Sequence, residues 1–145
     1  MKNLVINANN IHKSYKKLKA VDNLEFKAYS AQCFGFLGPN GAGKTTLMKM
    51  IYGKAKRDLP KKSQLNVFGL DPDHDSLNIK SITGVVPQED NLDMELNVYQ
   101  NLMVFSKFYG LKKSIAKKRV EELLELMELQ EKKHQKIRTL SGGMK

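Results

Sequence analysis

Residues 38–45 read Gly-Pro-Asn-Gly-Ala-Gly-Lys-Thr, a complete G-x-x-x-x-G-K-T phosphate-binding loop. Its glycines allow tight turns and a close backbone approach to phosphate, so that successive N–H groups point at the anion. Lys44 adds a mobile positive charge for the β and γ phosphates, and the Thr45 hydroxyl completes the coordination of phosphate-bound Mg2+. This string predicts that the chain handles a nucleoside triphosphate.

A phosphate-binding loop of this kind lies between a strand and a helix. The run Cys-Phe-Gly-Phe-Leu at 33–37 predicts a short buried strand that enters the loop. Apolar residues at helical spacing predict a helix over Thr46–Tyr52, whose N-terminus then faces the phosphates. Within that strand, Cys33 is expected to be a packed thiol.

The composition describes a single soluble globular unit. The chain has 145 residues, 41% of them hydrophobic, and one cysteine, so an internal disulfide is excluded. It contains no run of 18 apolar residues and no signal peptide, so we expect it in the cytosol unless a partner tethers it. The three histidines lack the spacing of metal ligands.

The net charge of +10 leaves open a nucleic-acid or anionic-membrane interaction. The basic clusters are short, however, and aromatic residues are not interleaved with them as a base-stacking surface requires. A solvated, charged helix face explains the excess better, and no nucleic-acid partner is expected.

The remaining pattern predicts an antiparallel layer before the loop and a helical segment after it. Strands are predicted at 4–10, 23–29 and 65–69, with a turn at 16–20, a loop at 54–64 and a further apolar run at 83–86 that Pro87 stops.

Two helices follow. In the first, apolar residues recur at helical spacing from Val98 to Tyr109, until Gly110 provides a C-terminal stop. In the second, Ser114 is the expected N-cap, and the stripe expected to face the core consists of Val120, Leu123, Leu124 and Met127.

The chain ends on a second anion-binding pattern, Leu-Ser-Gly-Gly-Met at 140–144. Ser141 can cap a new helix, and the bare backbone of Gly142 and Gly143 can meet a phosphate. Alone, this string is typical of an ordinary loop.

Three signals in this order resemble the ATP-binding domain of ABC transporters: Tyr15 before the phosphate-binding loop, Gln88 after an apolar run, and the serine and glycines at 141–143. In that family they correspond to the A-loop, the Q-loop and the signature motif, and residues 38–45 to Walker A. The resemblance is strongest to exporters of the drug, polysaccharide and nodulation-factor type.

The resemblance implies an α/β fold, a P-loop NTPase of ABC ATPase type with an N-terminal antiparallel β layer and a helical subdomain. Residues 1–145 then form a partial ATP-binding domain. Its first part, 1–88, holds the β layer, the P-loop core and the Q-loop. Residues 89–145 form the helical subdomain up to the signature motif.

The resemblance also implies roles for individual residues. Lys44 and Gln88 are implied in catalysis, and Thr45 and Gln88 in binding Mg2+. Tyr15 is implied to stack on adenine, with Val21 beside the base. The residues implied to hold ATP are Tyr15, Val21, Gly38, Pro39, Asn40, Gly41, Ala42, Gly43, Lys44, Thr45, Thr46, Gln88, Ser141, Gly142 and Gly143.

The partners implied are a second ATP-binding domain, closing head to tail, and a transmembrane permease that docks near Asn91 to Leu102. In such a dimer, Ser141, Gly142 and Gly143 bind the γ phosphate that the other subunit's P-loop holds. The implied location is the cytoplasmic face of the cell membrane.

Two departures from the family pattern matter. Met144 stands where the signature commonly has glutamine, a change that favours the exporter subgroup. The Walker B strand with its magnesium-linked aspartate, the glutamate that polarises water and the switch histidine would all follow Lys145. We therefore expect this chain to bind nucleotide but not to hydrolyse ATP alone.

Three alternatives stay open at this point. One is a non-transport ABC ATPase associated with nucleic acid or the ribosome. Another is a nucleotide-binding remnant without activity. The third is a P-loop GTPase or small-molecule kinase, although no Asn-Lys-x-Asp string for guanine occurs.

Overall fold

The computed structural model describes residues 2–58, 63–88 and 91–144. They divide into two compact units, residues 1–85 and 86–145. The first unit holds β1 (Leu4–Tyr15), β2 (Leu18–Tyr29), α1 (Lys44–Ile51), β3 (Gln64–Val67) and α2 (Ser76–Ile82). The second holds α3 (Val98–Phe108), α4 (Lys113–Leu126) and three 3-10 turns at Gln130–Lys132, Ile137–Thr139 and Gly142–Met144.

The first unit is built on an antiparallel sheet in the order β2-β1-β3. The strands predicted at 4–10 and 23–29 are confirmed, and both are longer than predicted, so that the hairpin turn shrinks to two residues. The strand predicted at 65–69 is confirmed in part, because it begins one residue earlier and ends at Val67. Of the loop predicted at 54–64, residues 59–62 lie outside the described residues, and Gln64 already belongs to β3.

A β-bulge explains how β1 buries in one core two residues whose spacing would normally place them on opposite faces. Side chains alternate along a strand, so Ala8 and Ile11, three residues apart, would normally point to opposite faces. The register shifts between them, and Asn10 adopts a φ of 53°. The extra residue restores the phase, and both side chains are buried in one core.

That core joins the sheet to the helix after the phosphate-binding loop. Its buried members are Ala8, Ile11, Val21, Leu47, Met50, Ile51, Leu65, Val67 and Ile79. Leu47, Met50 and Ile51 come from α1, so burial of one apolar face fixes this helix against the sheet.

The strand predicted at 33–37 is wrong. A strand depends on hydrogen bonds from a neighbour, and no backbone group of 33–37 has a backbone partner in the described part of the chain. Cys33, expected to be packed, is exposed, and Leu37 is 97% exposed. Side chains alone attach the segment, because Phe34 and Phe36 pack against Phe26 with ring centroids 5.5 and 5.0 Å away.

The apolar run at 83–86 is likewise not a strand. Val86 is 95% exposed, and residues 83–87 are irregular. Apolar sequence alone does not form a strand where the backbone finds no partner among the residues described.

In the second unit, α3 begins and ends as predicted. Asn97 and Gln100 form a reciprocal capping box: the Asn97 side chain accepts from the Gln100 N–H at 2.8 Å, and the Gln100 side chain accepts from the Asn97 N–H at 2.9 Å. The helix closes at Tyr109, and Gly110 follows with a φ of 66°.

The start of α4 differs from the prediction. Lys112 is its N-cap, and Ser114 lies inside the helix, where it caps nothing. Ala116, Val120 and Leu124 are spaced four residues apart on one face of α4, and all three are buried. Leu123 and Met127, expected in the core stripe, are instead exposed along the rim of a cavity of about 180 Å³.

Candidate functional site

The phosphate-binding loop presents a set of free backbone donors. Gly41 and Gly43 have φ values of 84° and 83°, and Gly43 is the N-cap of α1. Within the loop, Ala42 donates to the Pro39 carbonyl, and the first helical bond runs from Leu47 to Gly43. Across the residues that the structure describes, no acceptor meets the N–H groups of residues 43–46. These donors and the positive end of the helix dipole suit an anion.

Lys44 places its charge inside the same loop. Its ammonium donates to the carbonyl oxygens of Gly38 and Pro39, both at 2.7 Å. The side chain therefore folds back over the loop instead of extending into solvent. A cation and four free N–H groups within one short loop form a site for a polyanion such as a triphosphate.

The end of the loop is pressed against the start of β2. A Cβ added at Gly43 would overlap the Ala20 carbonyl oxygen and would lie 3.3 Å from Cγ2 of Val21. Val21, expected beside the base, is buried there beneath Gly43. Only glycine allows both this contact and the left-handed φ.

The other predicted loop residues lie where a ligand can reach them. Thr45 and Thr46 are in the first turn of α1, Thr45 exposed and Thr46 partly buried. Pro39, Asn40 and Ala42 are exposed as well. No three His, Cys, Asp or Glu side chains gather as a metal site among the described residues.

Tyr15 ends β1 and is 46% exposed. The Lys13 ammonium lies over this ring, 5.3 Å from its centroid. Lys13 also pairs with Asp58 at 3.2 Å, and neither residue was predicted to take part in a site. Lys13 and Tyr15 are two residues apart and so lie on the same face of the strand. This spacing could have indicated their contact from the sequence. Asp58 is distant in sequence and gives no such signal.

Four of the predicted site residues, Gln88, Ser141, Gly142 and Gly143, lie in the second unit. Gln88 is exposed, and residues 89–90 after it lie outside the described residues. Ser141, Gly142 and Gly143 are all exposed, and the Met144 N–H donates to the Ser141 carbonyl at 3.1 Å. The helix predicted to begin here is a single 3-10 turn. A Cβ at either glycine would meet nothing within 4 Å.

The family described as "ABC transporter" matches residues 21–145. The chain belongs to the ABC transporter family. This confirms the resemblance seen in the sequence. Membership in the ABC transporter family implies ATP binding.

Two relatives in the ABC transporter family carry the same description, "Nod factor export ATP-binding protein I". The protein of Ralstonia nicotianae is 38% identical over 141 residues, which are 97% of this chain and 43% of the relative. That of Rhizobium sp. (strain N33) is 37% identical over 145 residues, which are 100% of this chain and 47% of the relative. The chain thus spans less than half the length of these relatives.

Solved structures confirm the fold class. The cbiO1 protein of Clostridium perfringens, part of the ABC transporter complex cbiONQ, superimposes with a TM-score of 0.81 at 20% identity, over 97% of this chain and 57% of that one. The dimeric ATP-binding cassette MJ0796, bound to ADP and Pi, gives a TM-score of 0.74 at 24% identity, over 96% and 64%. No helix among the described residues has the length and apolar character needed to span a bilayer.

Proposed function

We propose that this chain is the ATP-binding part of an ABC-type export ATPase, which couples ATP binding and hydrolysis to transport across the cytoplasmic membrane. One observation carries the proposal: the N–H groups of residues 43–46, which have no acceptor among the described residues, lie beside the loop over which the Lys44 ammonium folds. The export assignment is supported by the description of its relatives as Nod factor export proteins.

In this proposal each end of the nucleotide has its own contacts. The N–H groups of residues 43–46 bind the β and γ phosphates, and Lys44 exchanges its two carbonyl acceptors for phosphate oxygens. The exposed Tyr15 ring stacks on the base. The Thr45 hydroxyl is the side chain of the first unit that would hold Mg2+, which neutralises phosphate charge when bound.

We further propose a head-to-tail dimer of ATP-binding domains at the cytoplasmic face of the membrane. The bare backbone at Ser141, Gly142 and Gly143 would contact the γ phosphate bound by the other subunit. A permease subunit would dock near residues 91–102. The solved MJ0796 dimer with ADP and Pi supports the pairing of such domains.

The test is ATP binding to the purified full chain, measured by calorimetry, with Lys44→Ala as the variant. Loss of the ammonium removes a charge-assisted contact, so we expect affinity to fall at least about tenfold, the equivalent of roughly 1.4 kcal/mol. Lys49→Ala is the matched control, because Lys49 lies on the same helix in its last turn. Equal affinity of wild type and Lys44→Ala would refute the proposal.

Hydrolysis is tested separately. We propose that these 145 residues bind ATP without turning it over. ATP turnover by this purified chain that disappears in Lys44→Ala would contradict this. The intact mass of the polypeptide in its source cells, compared with 16.5 kDa for these 145 residues, gives the length of the native chain.

A further inference from the structure

The ring of Tyr15 has a cation on one of its faces. The Lys13 ammonium lies 5.3 Å from the ring centroid, within the range of a cation–π interaction. The Lys13 side chain is only 18% exposed, whereas Tyr15 is 46% exposed. The cation is thus on the protein side, and part of the ring stays open to solvent.

Asp58 holds Lys13 in that position through three bonds to consecutive residues of β1. Its N–H donates to the His12 carbonyl at 2.9 Å. Its carboxylate accepts from the Lys13 ammonium at 3.2 Å and from the Ser14 N–H at 2.7 Å. With backbone and side chain both anchored, Asp58 is a fixed counter-charge that keeps Lys13 from turning into solvent.

The position of Asp58 along the chain relates it to the phosphate site. The helix α1 starts in the phosphate-binding loop and ends at Ile51, and Asp58 follows seven residues later. The segment that leaves the phosphate site therefore returns to the strand that carries Tyr15. The two ends of the proposed nucleotide site are joined through this contact.

We propose that Lys13 and Asp58 are positioning residues for base binding: Lys13 occupies one face of the Tyr15 ring, Asp58 fixes Lys13, and adenine stacks on the opposite face. The inference rests on the ATP binding proposed above. The proposed gain in affinity comes from pre-organisation, because a ring already held in its stacking orientation loses less conformational freedom when the base binds.

The experiment separates the base from the phosphates. Calorimetry on the full chain measures the affinity for ATP and for inorganic tripolyphosphate, and the ratio of the two reports the contribution of the nucleoside. Tyr15→Ala should remove most of the nucleoside's contribution to the affinity for ATP. Lys13→Met and Asp58→Asn should each lower the ratio about two- to fivefold, the size of the ordering cost of one side chain, with tripolyphosphate affinity unchanged.

Two further variants exclude a general effect of charge or folding. Lys13→Arg keeps a cation over the ring and should restore the ratio. Lys17→Met removes an exposed lysine from the same hairpin and should leave the ratio at its wild-type value.

Each outcome has a distinct meaning. A wild-type ratio in Lys13→Met and Asp58→Asn would overturn this inference and leave ATP binding intact. Equal losses for both ligands would show a structural role only and would also overturn it. A wild-type chain that binds neither ligand would refute the proposed function, and this inference with it.

Discussion

The Cα of Gly43 lies so close to the Ala20 carbonyl that a side chain at this position would overlap the carbonyl oxygen. The contact joins the last turn of the phosphate-binding loop to the start of β2, whose Val21 is buried at the same point. The orientation of the free N–H groups at residues 43–46 therefore depends on the sheet as well as on the loop.

Gly43→Ala should destabilise the fold more than Gly41→Ala. Both glycines have a φ near 84°, so each alanine costs about 1–2 kcal/mol of left-handed strain. Only at Gly43 does the new Cβ also overlap backbone, whereas at Gly41 nothing lies within 4 Å. We expect about 1–3 kcal/mol of further loss for Gly43→Ala, measured as the free energy of unfolding in urea.

ATP affinity in the same two variants gives a second comparison. Gly43→Ala should weaken binding more than Gly41→Ala, because it displaces the N-cap of α1. Equal stability of the two variants would show that the Ala20 carbonyl moves away at no cost.

A buried arginine offers a second test. The Arg57 guanidinium is 4% exposed and pairs with Asp71 at 2.6 Å and Asp73 at 3.4 Å. Removing it leaves carboxylates without their partner, so Arg57→Met should cost about 3–5 kcal/mol of unfolding free energy. Lys56→Met, at the exposed neighbouring position, is the control and should change stability by less than about 0.5 kcal/mol. A loss of less than about 0.5 kcal/mol for Arg57→Met would contradict a stabilising role for this ion pair.

The third prediction concerns the stability of the fold at low pH. Partial burial acts to raise the pKa of Asp58, but the Ser14 N–H and the Lys13 ammonium outweigh it and hold the pKa below its ordinary value. A carboxylate with a lowered folded-state pKa contributes stability above its unfolded pKa of about 3.9 and loses that contribution as pH falls through the folded value.

Wild type should therefore be more stable than Asp58→Asn at pH 7, and the difference should shrink below about pH 4. Urea unfolding at a series of pH values measures it. Glu25→Gln, at an exposed position of β2, controls for the loss of one negative charge. A difference that grows on acidification would reverse the sign and refute the assignment.

The capping box of α3 gives a fourth prediction. Asn97→Ala removes the acceptor for the Gln100 N–H and should destabilise the second unit by about 1 kcal/mol. Ser114→Ala is the informative comparison, because the sequence pattern marked Ser114 as a cap and the structure places it inside α4. Hydrogen exchange of the α3 and α4 amides should show a loss of protection in the first variant alone.

The residues whose sequence pattern gave a correct prediction are those that interact locally. The phosphate-binding loop and α1 follow from glycines, one lysine and an apolar helical face within fifteen residues. Gly110 follows the end of α3 for the same reason, whereas the capping box at its start was not predicted.

Predictions failed where a distant partner decides the structure. The apolar residues at 33–37 have strand character, but no neighbouring strand meets them in the described part of the chain. The pairing of Asp58 with Lys13 spans 45 residues, which no local pattern reveals. The short helix α2 was not predicted, because its apolar residues Leu77, Ile79 and Ile82 do not form a regular helical stripe over its seven residues.

The unpaired apolar segment at 33–37 also has a consequence for colloidal behaviour. Exposed residues such as Leu37, next to backbone groups that have no partner among the described residues, form a surface on which two molecules can associate. The net charge of +10 opposes this by mutual repulsion, and salt screens that repulsion. Light scattering should therefore detect association of the purified chain as salt rises, and Leu37→Lys should raise the salt concentration at which it begins.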